Sequence, residues 1–343
     1  MKHDWEWRSF EACLEKVIYT KKLQSSEYLS VGKYPIVSQE EGLISGYWDN
    51  DDDIFKITKP IVIFGDHTRV LKYIDFNFVL GADGVKILQP IDDIKAKFLY
   101  YYLRWFNVPS LGYSRHYKLL KECSVPVPPL PIQEQIVAEL DKVSEIIEKK
   151  KQQVKELDTL AQSIFYDMFG DPVENEKGWE VKRVIDVVKL QRGYDLPVQS
   201  RCNSGSIPIY GANGIVGYHN KSMSQQGIIT GRSGSLGEVF VSKVPFWPLN
   251  TSLFSIDTHG NDLVFLLYLM RNFDLKRFKQ GAGVPTLNRN SFHGEKIINV
   301  PLPLQQSFAQ KVEAIERQKE LITASIKEAQ LLFDARMDYW FGE

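Results

Sequence analysis

The most chemically suggestive segment is the glycine-rich run Gly231-Arg232-Ser233-Gly234-Ser235-Leu236-Gly237. Glycines let the backbone approach a phosphate group closely, and an arginine can bind a phosphate or a base edge. The pattern predicts that this run joins two strands, at 227–232 and 237–241, and does not begin a helix. A nucleotide site is therefore disfavoured. The run is expected to be either a flexible hairpin loop or a loop that contacts DNA through Arg232 and backbone amides.

The familiar catalytic and metal-binding patterns are absent from the sequence. It contains no GxxxxGK[ST] phosphate loop, no HExxH, no GxSxG and no Asn-Pro-Pro-Tyr-like adenine methyltransferase motif. No histidine has metal-ligand spacing to another histidine or to a cysteine. The three cysteines, Cys13, Cys123 and Cys202, are odd in number and far apart, which disfavours a disulfide framework. The sequence predicts a non-catalytic, cytoplasmic protein with no metal or cofactor of its own.

Length and charge favour two domains with one basic region. The chain has 343 residues, 43% of them hydrophobic and 25% charged, and no run of 18 apolar residues that could span a membrane. The net charge is −1, but residues 171–300 carry 15 Lys+Arg against 11 Asp+Glu. The excess of acidic residues lies in the two short segments 129–170 and 301–343.

Those two acidic segments are copies of each other. Pro129-Leu130-Pro131-Ile132-Gln133-Glu134-Gln135 aligns with Pro301-Leu302-Pro303-Leu304-Gln305-Gln306-Ser307 at an offset of 172, and the alignment continues without a gap to residues 171 and 343. Weaker matches extend upstream: Pro35-Ile36 pairs with Pro208-Ile209, and Ile63 and Gly65 pair with Ile229 and Gly231. A period this long is not a solenoid repeat, so one domain-plus-helix unit is used twice.

Each copy of this segment is predicted to form a long helix, over 133–169 and 305–341. Core positions recur at alternating spacings of four and three residues without a break. They are apolar except for Lys150 in the first copy and Lys319 and Arg336 in the second. Each helix would be about 55 Å long, so the two are expected to pair antiparallel. Lys150 and Lys319 are expected to set the register. The alternative is that each helix crosses its own domain as a core helix.

The blocks before each helix are predicted to be mixed α/β domains. Ile61–Phe64 is predicted to be a strand that leads into a Gly65-Asp66-His67 turn, and 79–88 a hairpin around Asp83-Gly84. Residues 95–106 and 262–273 are predicted to be short helices. The predicted fold class is α+β, with two mixed domains in tandem at 1–128 and 171–300. Two long helices at 129–170 and 301–343 separate them as an antiparallel coiled coil with pseudo-two-fold symmetry.

This arrangement resembles the specificity (S) subunit of Type I restriction–modification enzymes. The resemblance rests on Pro126-Val127-Pro128-Pro129-Leu130-Pro131-Ile132-Gln133-Glu134-Gln135-Ile136 and on its second copy from Val300 to Gln306. Gly65-Asp66-His67-Thr68-Arg69 and Thr230–Gly237 also look like segments of that family's target-recognition domains. The resemblance implies that each block reads one half of a bipartite DNA target and that the coiled coil sets the spacer and docks two methyltransferase subunits. Restriction/translocase subunits complete such complexes, and S-adenosylmethionine, ATP and Mg belong to the partner subunits.

Polar and basic side chains in the predicted loops are the candidates for DNA contact. In the first block they are Arg69, Lys72, Lys86, Arg115, His116 and Lys118, and in the second Asn213, Lys221, Arg232, Ser233, Lys243, Arg277, Lys279 and Arg289. The aromatic residues between Tyr100 and Phe106 are expected in the core. Two further interpretations remain open: the specificity chain of a Type II enzyme of similar build, and a helical interaction scaffold that does not bind DNA.

Overall fold

A computed structural model describes residues 4–82, 84–112, 114–202, 204–281 and 285–342. The chain divides into two compact units, referred to here as unit 1 (Met1–Lys150 with Ala324–Glu343) and unit 2 (Lys151–Thr323). Each unit therefore contains part of both long helices. Among the described residues, every helix is either too short or too polar for a membrane span.

In the described part of unit 1, nine short strands and two short α-helices precede the first long helix. These elements are β1 (Glu6–Ser9), β2 (Tyr34–Val37), β3 (Gly46–Trp48), β4 (Ile54–Phe55), β5 (Ile61–Gly65), β6 (Leu71–Ile74), β7 (Phe78–Leu80), β8 (Val85–Leu88), α1 (Ala96–Phe106), α2 (Tyr117–Lys121), β9 (Ser124–Val127) and α3 (Leu130–Phe169). The strands form sheets of order β3-β2-β7-β4, β6-β5-β8 and β1-β9. The first sheet contains one parallel pair, β2 with β7.

The remaining elements follow the same plan and lie in unit 2, except that the last helix continues beyond residue 323 into unit 1. They are β10 (Glu180–Arg183), α4 (Val184–Val187), β11 (Lys189–Arg192), β12 (Ile207–Gly211), β13 (Gly214–His219), β14 (Gly227–Gly231), β15 (Val239–Ser242), β16 (Trp247–Pro248), β17 (Ser252–Asp257), α5 (Leu263–Asn272), β18 (Lys279–Gln280), β19 (Thr286–Leu287), α6 (Arg289–Phe292), β20 (Lys296–Asn299) and α7 (Leu302–Phe341). The sheets are β11-β17-β14-β15, β13-β12-β16, β10-β20 and β18-β19.

The two units share a register as well as a strand order. The β2–β3 hairpin pairs Pro35 with Tyr47 and Ile36 with Gly46, and the β12–β13 hairpin pairs Pro208 with Tyr218 and Ile209 with Gly217. In each unit one further strand pairs in parallel with the first strand of the hairpin. This is β7 with β2 in unit 1 and β16 with β12 in unit 2. The duplication seen in the sequence is therefore a duplication of structure, and the predicted fold class is confirmed.

One local prediction is wrong. Residues 79–88 do not form a hairpin, because β7 pairs with β2 and β4 whereas β8 pairs with β5 in another sheet. Asp83 lies outside the described residues. The Asp-Gly dipeptide suggested a two-residue turn between paired strands. Instead, the chain passes from one sheet to the next between β7 and β8. The short helices predicted at 95–106 and 262–273 are confirmed as α1 and α5.

Both long helices are present and slightly longer than predicted. Each has a proline at its second residue, Pro131 or Pro303. An N–H group at this position has no acceptor within the helix, so its absence in proline costs no hydrogen bond. Helix α3 ends before Gly170, which has a φ of 74°. This left-handed conformation terminates the helix and favours glycine, because a side chain would be strained there.

The helices pack on each other antiparallel in both units. In unit 1, Ile136, Leu140, Val143 and Ile147 near the start of α3 share a buried cluster with residues near the end of α7, including Phe333 and Met337. In unit 2, Ala161 and Phe165 near the end of α3 share a cluster with Phe308 and Val312 near the start of α7. The predicted antiparallel coiled coil is confirmed.

The buried seam departs from the predicted heptad positions near the helix ends. Phe165 and Phe169 are fully buried, whereas Ile164 and Met168, which the alternating spacing of four and three from Ile136 places at core positions, are half-buried. Phe165 reaches Phe265 of α5, with ring centroids 6.2 Å apart. The end of α3 therefore packs on α5 of the second repeat as well as on α7, so the alternative in which each helix crosses only its own domain does not hold.

Polar residues interrupt the seam and are satisfied by partners. Lys319 Nζ lies 2.6 Å from Asp158 Oδ1, which links the helices within unit 2. Within unit 1, Arg336 Nη2 and Trp340 Nε1 both donate to Glu139 Oε2, at 3.0 and 2.9 Å. The hydrogen bond from Arg336 lowers the pKa of the Glu139 carboxyl, although burial opposes the shift. Such directional pairs disfavour other helix registers.

Two buried glutamines explain the repeated Pro-Leu-Pro-x-Gln segment. Gln133 accepts a hydrogen bond from Lys95 N at 2.8 Å and donates to the carbonyl oxygens of Asp93 and Pro128, both at 2.8 Å. In the same way Gln305 accepts from Asp262 N and donates to Val300 O, both at 2.8 Å. Lys95 and Asp262 are the N-caps of α1 and α5. Each glutamine thus joins the start of a long helix to the start of a short one.

We expect Gln305→Ala to lower the free energy of unfolding by about 2–3 kcal/mol, because it leaves buried backbone groups unsatisfied. Urea denaturation followed by circular dichroism measures this change. The adjacent exposed Gln306 supplies the control, and Gln306→Ala should change the unfolding free energy by less than about 0.5 kcal/mol. Equal effects of the two substitutions would mean that the buried amide has no special structural role.

Candidate nucleic-acid interface

Three turns of unit 2 meet beside the end of β14. Gly231 is the last residue of that strand, and a side chain there would lie 2.0 Å from the carbonyl oxygen of Ser235 and 2.9 Å from that of Ala212. Only glycine fits so close an approach. It allows the glycine-rich loop to pack against the β12–β13 turn, which carries Asn213. Strands β14 and β15 flank this loop as an antiparallel pair, which confirms the predicted hairpin loop.

Backbone hydrogen bonds join this loop to two further segments. The amides of Arg232 and Ser233 both donate to Thr251 O, at 2.8 and 3.2 Å, and Arg232 O accepts from Leu287 N at 2.8 Å. Leu287 pairs with Lys279 in the β18–β19 ribbon. The structure therefore brings together the segments that carry Asn213, Arg232, Ser233 and Lys279. The half-buried Arg232 also donates to Asn250 O, at 3.4 Å.

The other candidates of unit 2 are distributed around this group. Arg289 is the first residue of α6, directly after the N-cap Asn288. The guanidinium of Arg277 lies over the rings of Phe273 and Phe278, 4.6 and 4.8 Å from their centroids. Lys221 is exposed after β13. Lys243 instead pairs with Glu313 of α7 at 2.5 Å, so its charge is directed to the long helix.

The corresponding turn of unit 1 is organised around a buried carboxylate. Asp66 Oδ1 accepts from Tyr117 N at 2.8 Å, and Lys86 Nζ lies 3.9 Å from Asp66 Oδ2. The buried ring of His116 contacts Asp66 O through Nδ1, at 3.0 Å, and accepts from Leu111 N through Nε2, at 3.0 Å. Lys86 and His116 are thus brought together, with Arg115 and Lys118 exposed beside them.

Two further candidates of unit 1 also have internal partners. Lys72 is buried, and its amine donates to Ser38 O at 2.8 Å and Gly42 O at 2.5 Å. Burial lowers the pKa of the Lys72 amine. Arg69 donates to Val108 O at 2.9 Å. A buried side chain cannot reach a base edge, which disfavours Lys72 and His116 as DNA contacts.

The remaining exposed side chains are hydrogen-bond donors that suit phosphates and base edges. Guanidinium, ammonium, amide and hydroxyl groups at loop ends are the usual groups for such contacts. Within the described ranges, no group of three or more His, Cys, Asp or Glu side chains is placed to hold a metal ion. The predicted core position of the aromatic residues is confirmed for Tyr101 and Tyr102, which are buried.

One repeated motif in these loops is not among the sequence-based predictions. Gly42-Leu43-Ile44 before β3 matches Gly214-Ile215-Val216 in β13 at the same offset of 172. Gly46-Tyr47 then matches Gly217-Tyr218 at an offset of 171, one residue less. The motif was detectable from the sequence, but the extra Ser45 breaks the alignment. All four aliphatic side chains are exposed.

The tandem units, their paired long helices and their donor-bearing loops define a duplicated, helix-linked recognition protein. A family model described as "Type I restriction modification DNA specificity domain" matches residues 3–157 and again 176–331, one match for each repeat. The chain belongs to this family, and the resemblance stated above is confirmed.

Two curated relatives agree with this assignment, and two solved structures have a similar fold. The chain is 27% identical over 280 residues to the Type I restriction enzyme MjaIX specificity subunit of Methanocaldococcus jannaschii, which covers 68% of this chain and 65% of that relative. It is 25% identical over 369 residues to the Type I restriction enzyme EcoR124I/EcoR124II specificity subunit of Escherichia coli. This match covers 90% of this chain and 86% of that relative. The S subunit from M. genitalium has a similar fold, with a TM-score of 0.62, 17% identity and coverage of 97% and 95%. A chain from a structure of the Type I restriction–modification system has a TM-score of 0.57 and 13% identity. The match covers 98% of this chain and 97% of that chain.

Proposed function

We propose that this protein is the specificity subunit of a Type I restriction–modification complex, in which residues 1–128 and 171–300 act as target-recognition domains. Each domain would read one half of a bipartite site in duplex DNA. The observation that supports this most is the duplication itself, because the family model matches both repeats. Two readers that share a fold but differ in their loops suit a target with two different halves.

Base reading would come from the loop ends. In unit 2, Asn213, Arg232, Ser233 and Lys279 lie on segments that meet beside β14, with Arg289 next to them. In unit 1, Arg69, Lys86, Arg115 and Lys118 are the corresponding candidates. Arginine and lysine recognise guanine, and asparagine recognises adenine, through bidentate contacts in the major groove. Lys221 and Arg277 are proposed as phosphate contacts instead, whereas Lys243 is paired with Glu313 of α7 and is assigned no DNA contact.

The long helices would set the distance between the two half-sites and dock the partner subunits. A helix of 40 residues is about 60 Å long, which corresponds to roughly 17 base pairs at 3.4 Å each and bounds the unread spacer. The near-zero net charge of the chain implies weak DNA binding alone, because phosphate neutralisation drives affinity. We therefore assign much of the phosphate contact to two methyltransferase subunits that close around the duplex.

The chemistry would belong to those partners. The methyltransferase subunits would supply S-adenosylmethionine, and restriction/translocase subunits would supply ATP and Mg. This chain would recognise DNA without catalysing a reaction, in the cytoplasm where its target lies. Methylome sequencing of cells that carry this gene with its partner methyltransferase gene tests the proposal. A single bipartite methylated motif is expected, and none in cells that carry either gene alone.

Arg232→Ala should alter recognition in one half of that motif only. If Arg232 contacts a base edge, about 1–3 kcal/mol of discrimination should disappear at one position. If it contacts a phosphate, affinity should fall for all sequences and the salt slope should flatten by about one unit. Methylome sequencing and salt-dependent binding of the assembled enzyme distinguish these outcomes.

A matched control is Arg183→Ala, because Arg183 lies in β10 and pairs with Asp186 at 2.8 Å. This variant should keep the wild-type motif. A change in both half-sites of the Arg232→Ala enzyme would contradict independent reading by the two domains.

A further inference from the structure

The two units share one backbone frame at the end of an inner strand. Asp66 follows the last residue of β5, and its amide donates to Gly84 O at 2.7 Å. Arg232 follows the last residue of β14, and its amide donates to Thr251 O at 2.8 Å. Gly84 and Thr251 each directly precede the residue that pairs with the last glycine of the inner strand, so the two bonds occupy the same register. Asp66 and Arg232 therefore hold equivalent positions.

The frame continues in the same way to a third segment. Asp66 O accepts from His116 N at 2.8 Å, and Arg232 O accepts from Leu287 N at 2.8 Å. His116 is the N-cap of α2, and Leu287 directly precedes the N-cap of α6. The same scaffold thus carries a carboxylate in unit 1 and a guanidinium in unit 2. The scaffold does not dictate this difference, because its bonds involve main-chain atoms alone.

The carboxylate of Asp66 has two partners within unit 1. Its side chain is 4% exposed, Oδ1 accepts from Tyr117 N at 2.8 Å, and Oδ2 lies 3.9 Å from Lys86 Nζ. The lysine amine also lies 5.3 Å from the centroid of the Tyr117 ring. The side chain of Lys86 nevertheless remains 31% exposed. The carboxylate and the ring therefore restrain the amine of Lys86 while leaving it accessible to a ligand.

The basic group at this place comes from a different element in each unit. Lys86 pairs with Phe64 of β5, and the equivalent pair in unit 2 joins Leu253 to Thr230 of β14. Leu253 is buried, so the basic group of unit 2 is Arg232, on the frame itself. In unit 1 the frame residue instead supplies a buried counter-charge to a lysine on the neighbouring strand.

A buried counter-charge changes what a lysine recognises. A phosphate is attracted by net positive charge, and a carboxylate 3.9 Å from the amine cancels much of that attraction and repels the phosphate. The acceptor atoms of a base edge, such as guanine O6 and N7, carry no full charge and meet no such repulsion. An ammonium group has three donors, so it can face the carboxylate and still donate to a base. The pairing therefore favours a base edge over a phosphate.

We propose that Asp66 is a positioning residue that holds the Lys86 amine for a base edge of the first half-site and screens it from phosphates. The inference rests on the proposed function and deepens it, because it assigns a role in DNA reading to a carboxylate that does not itself attract DNA. Unit 2 reads with Arg232 at the equivalent frame position. The two domains would thus use one scaffold with two charge arrangements to read different half-sites.

Salt-dependent DNA binding and methylome sequencing of the enzyme assembled with its partner methyltransferase test the proposal. In Asp66→Asn, the neutral amide can still accept from Tyr117 N but no longer screens Lys86. Discrimination at one position of the first half-site should fall about tenfold or more, whereas affinity for non-target DNA should rise and the salt slope should steepen by up to about one unit. Structural damage would instead lower affinity for every sequence, so the sign of the change separates the two explanations.

Lys86→Ala should relax the same base position and leave the salt slope nearly unchanged, because its charge is already paired. The double variant should match Lys86→Ala in both measurements, since Asp66 acts through Lys86. Asp53→Asn is the matched control. Asp53 is another buried carboxylate of unit 1, accepts from Trp48 Nε1 at 2.9 Å, and its substitution changes the net charge equally. This variant should keep the wild-type motif and salt slope.

A salt slope flattened by a full unit in Lys86→Ala would identify a phosphate contact and overturn the positioning role, even if Asp66→Asn failed to fold. Additive losses in the double variant, or relaxed recognition in the second half-site, would also overturn it. In these cases the wild-type enzyme would still methylate a bipartite motif, and the proposed function would stand. A wild-type enzyme without such a motif would contradict the proposed function as well.

Discussion

Leu140→Asp should lower the free energy of unfolding by about 4 kcal/mol or more, because it places an unpaired charge in the core of unit 1. Leu140 is fully buried among α1, the start of α3 and the end of α7. Urea denaturation followed by tryptophan fluorescence should show an early loss of unit 1. Val312, which occupies the same position in the second repeat and is also buried, should give an early loss of unit 2 when changed to Asp.

Leu160→Asp is the matched control on the same helix. Leu160 is 46% exposed, so an aspartate there stays hydrated and should cost less than about 1 kcal/mol. The comparison separates burial at the seam from any general effect of aspartate on helix propensity. Similar losses for Leu140→Asp and Leu160→Asp would argue against a packed seam at Leu140.

A second large effect is expected from lengthening the helix pair. Four residues inserted after Leu157 add about one helical turn, or roughly 6 Å. A matching insertion after Glu320 keeps the facing segments together, because Lys319 contacts Asp158. The assembled enzyme should then stop methylating its original sites. It should methylate sites with the same two half-sequences and a spacer about two base pairs longer.

The control is the same insertion after Leu157 alone. It shifts one helix against the other, removes the Lys319–Asp158 pair and should lower stability as well as activity. Methylome sequencing of both insertion enzymes measures the outcome. New bases within either half-site of the doubly lengthened enzyme would show that the helices do more than set a distance.

The architecture was predictable because the signals behind it are long and repeated. Thirty-odd residues of unbroken heptad spacing identify a helix reliably, and a second copy at a constant offset identifies its partner. The buried Gln133 and Gln305 were visible as matched residues, but their role was not. Their role depends on the N-cap amides of Lys95 and Asp262, about 40 residues earlier in the chain.

The loops were harder to predict because burial there depends on tertiary contacts. Lys72 and Arg232 look equally available in the sequence, yet Lys72 is buried against two carbonyl oxygens and Arg232 is half-buried at a loop end. The Asp83-Gly84 dipeptide predicted a hairpin, whereas β7 and β8 pair in different sheets. Short-range patterns specify a turn, whereas the pairing of β8 with β5 depends on residues about 20 positions away.

The division of unit 1 between the two ends of the chain affects how it can form on the ribosome. Residues 324–343 complete a core whose other members all precede residue 151. At ~5–20 residues per second, synthesis of the intervening segment takes roughly 9–35 seconds. During that interval Ile136, Leu140 and Val143 lack their covering helix and present an apolar stripe to chaperones and proteases. Unit 2, whose residues are contiguous, can close first, so the nascent chain completes its second domain before its first.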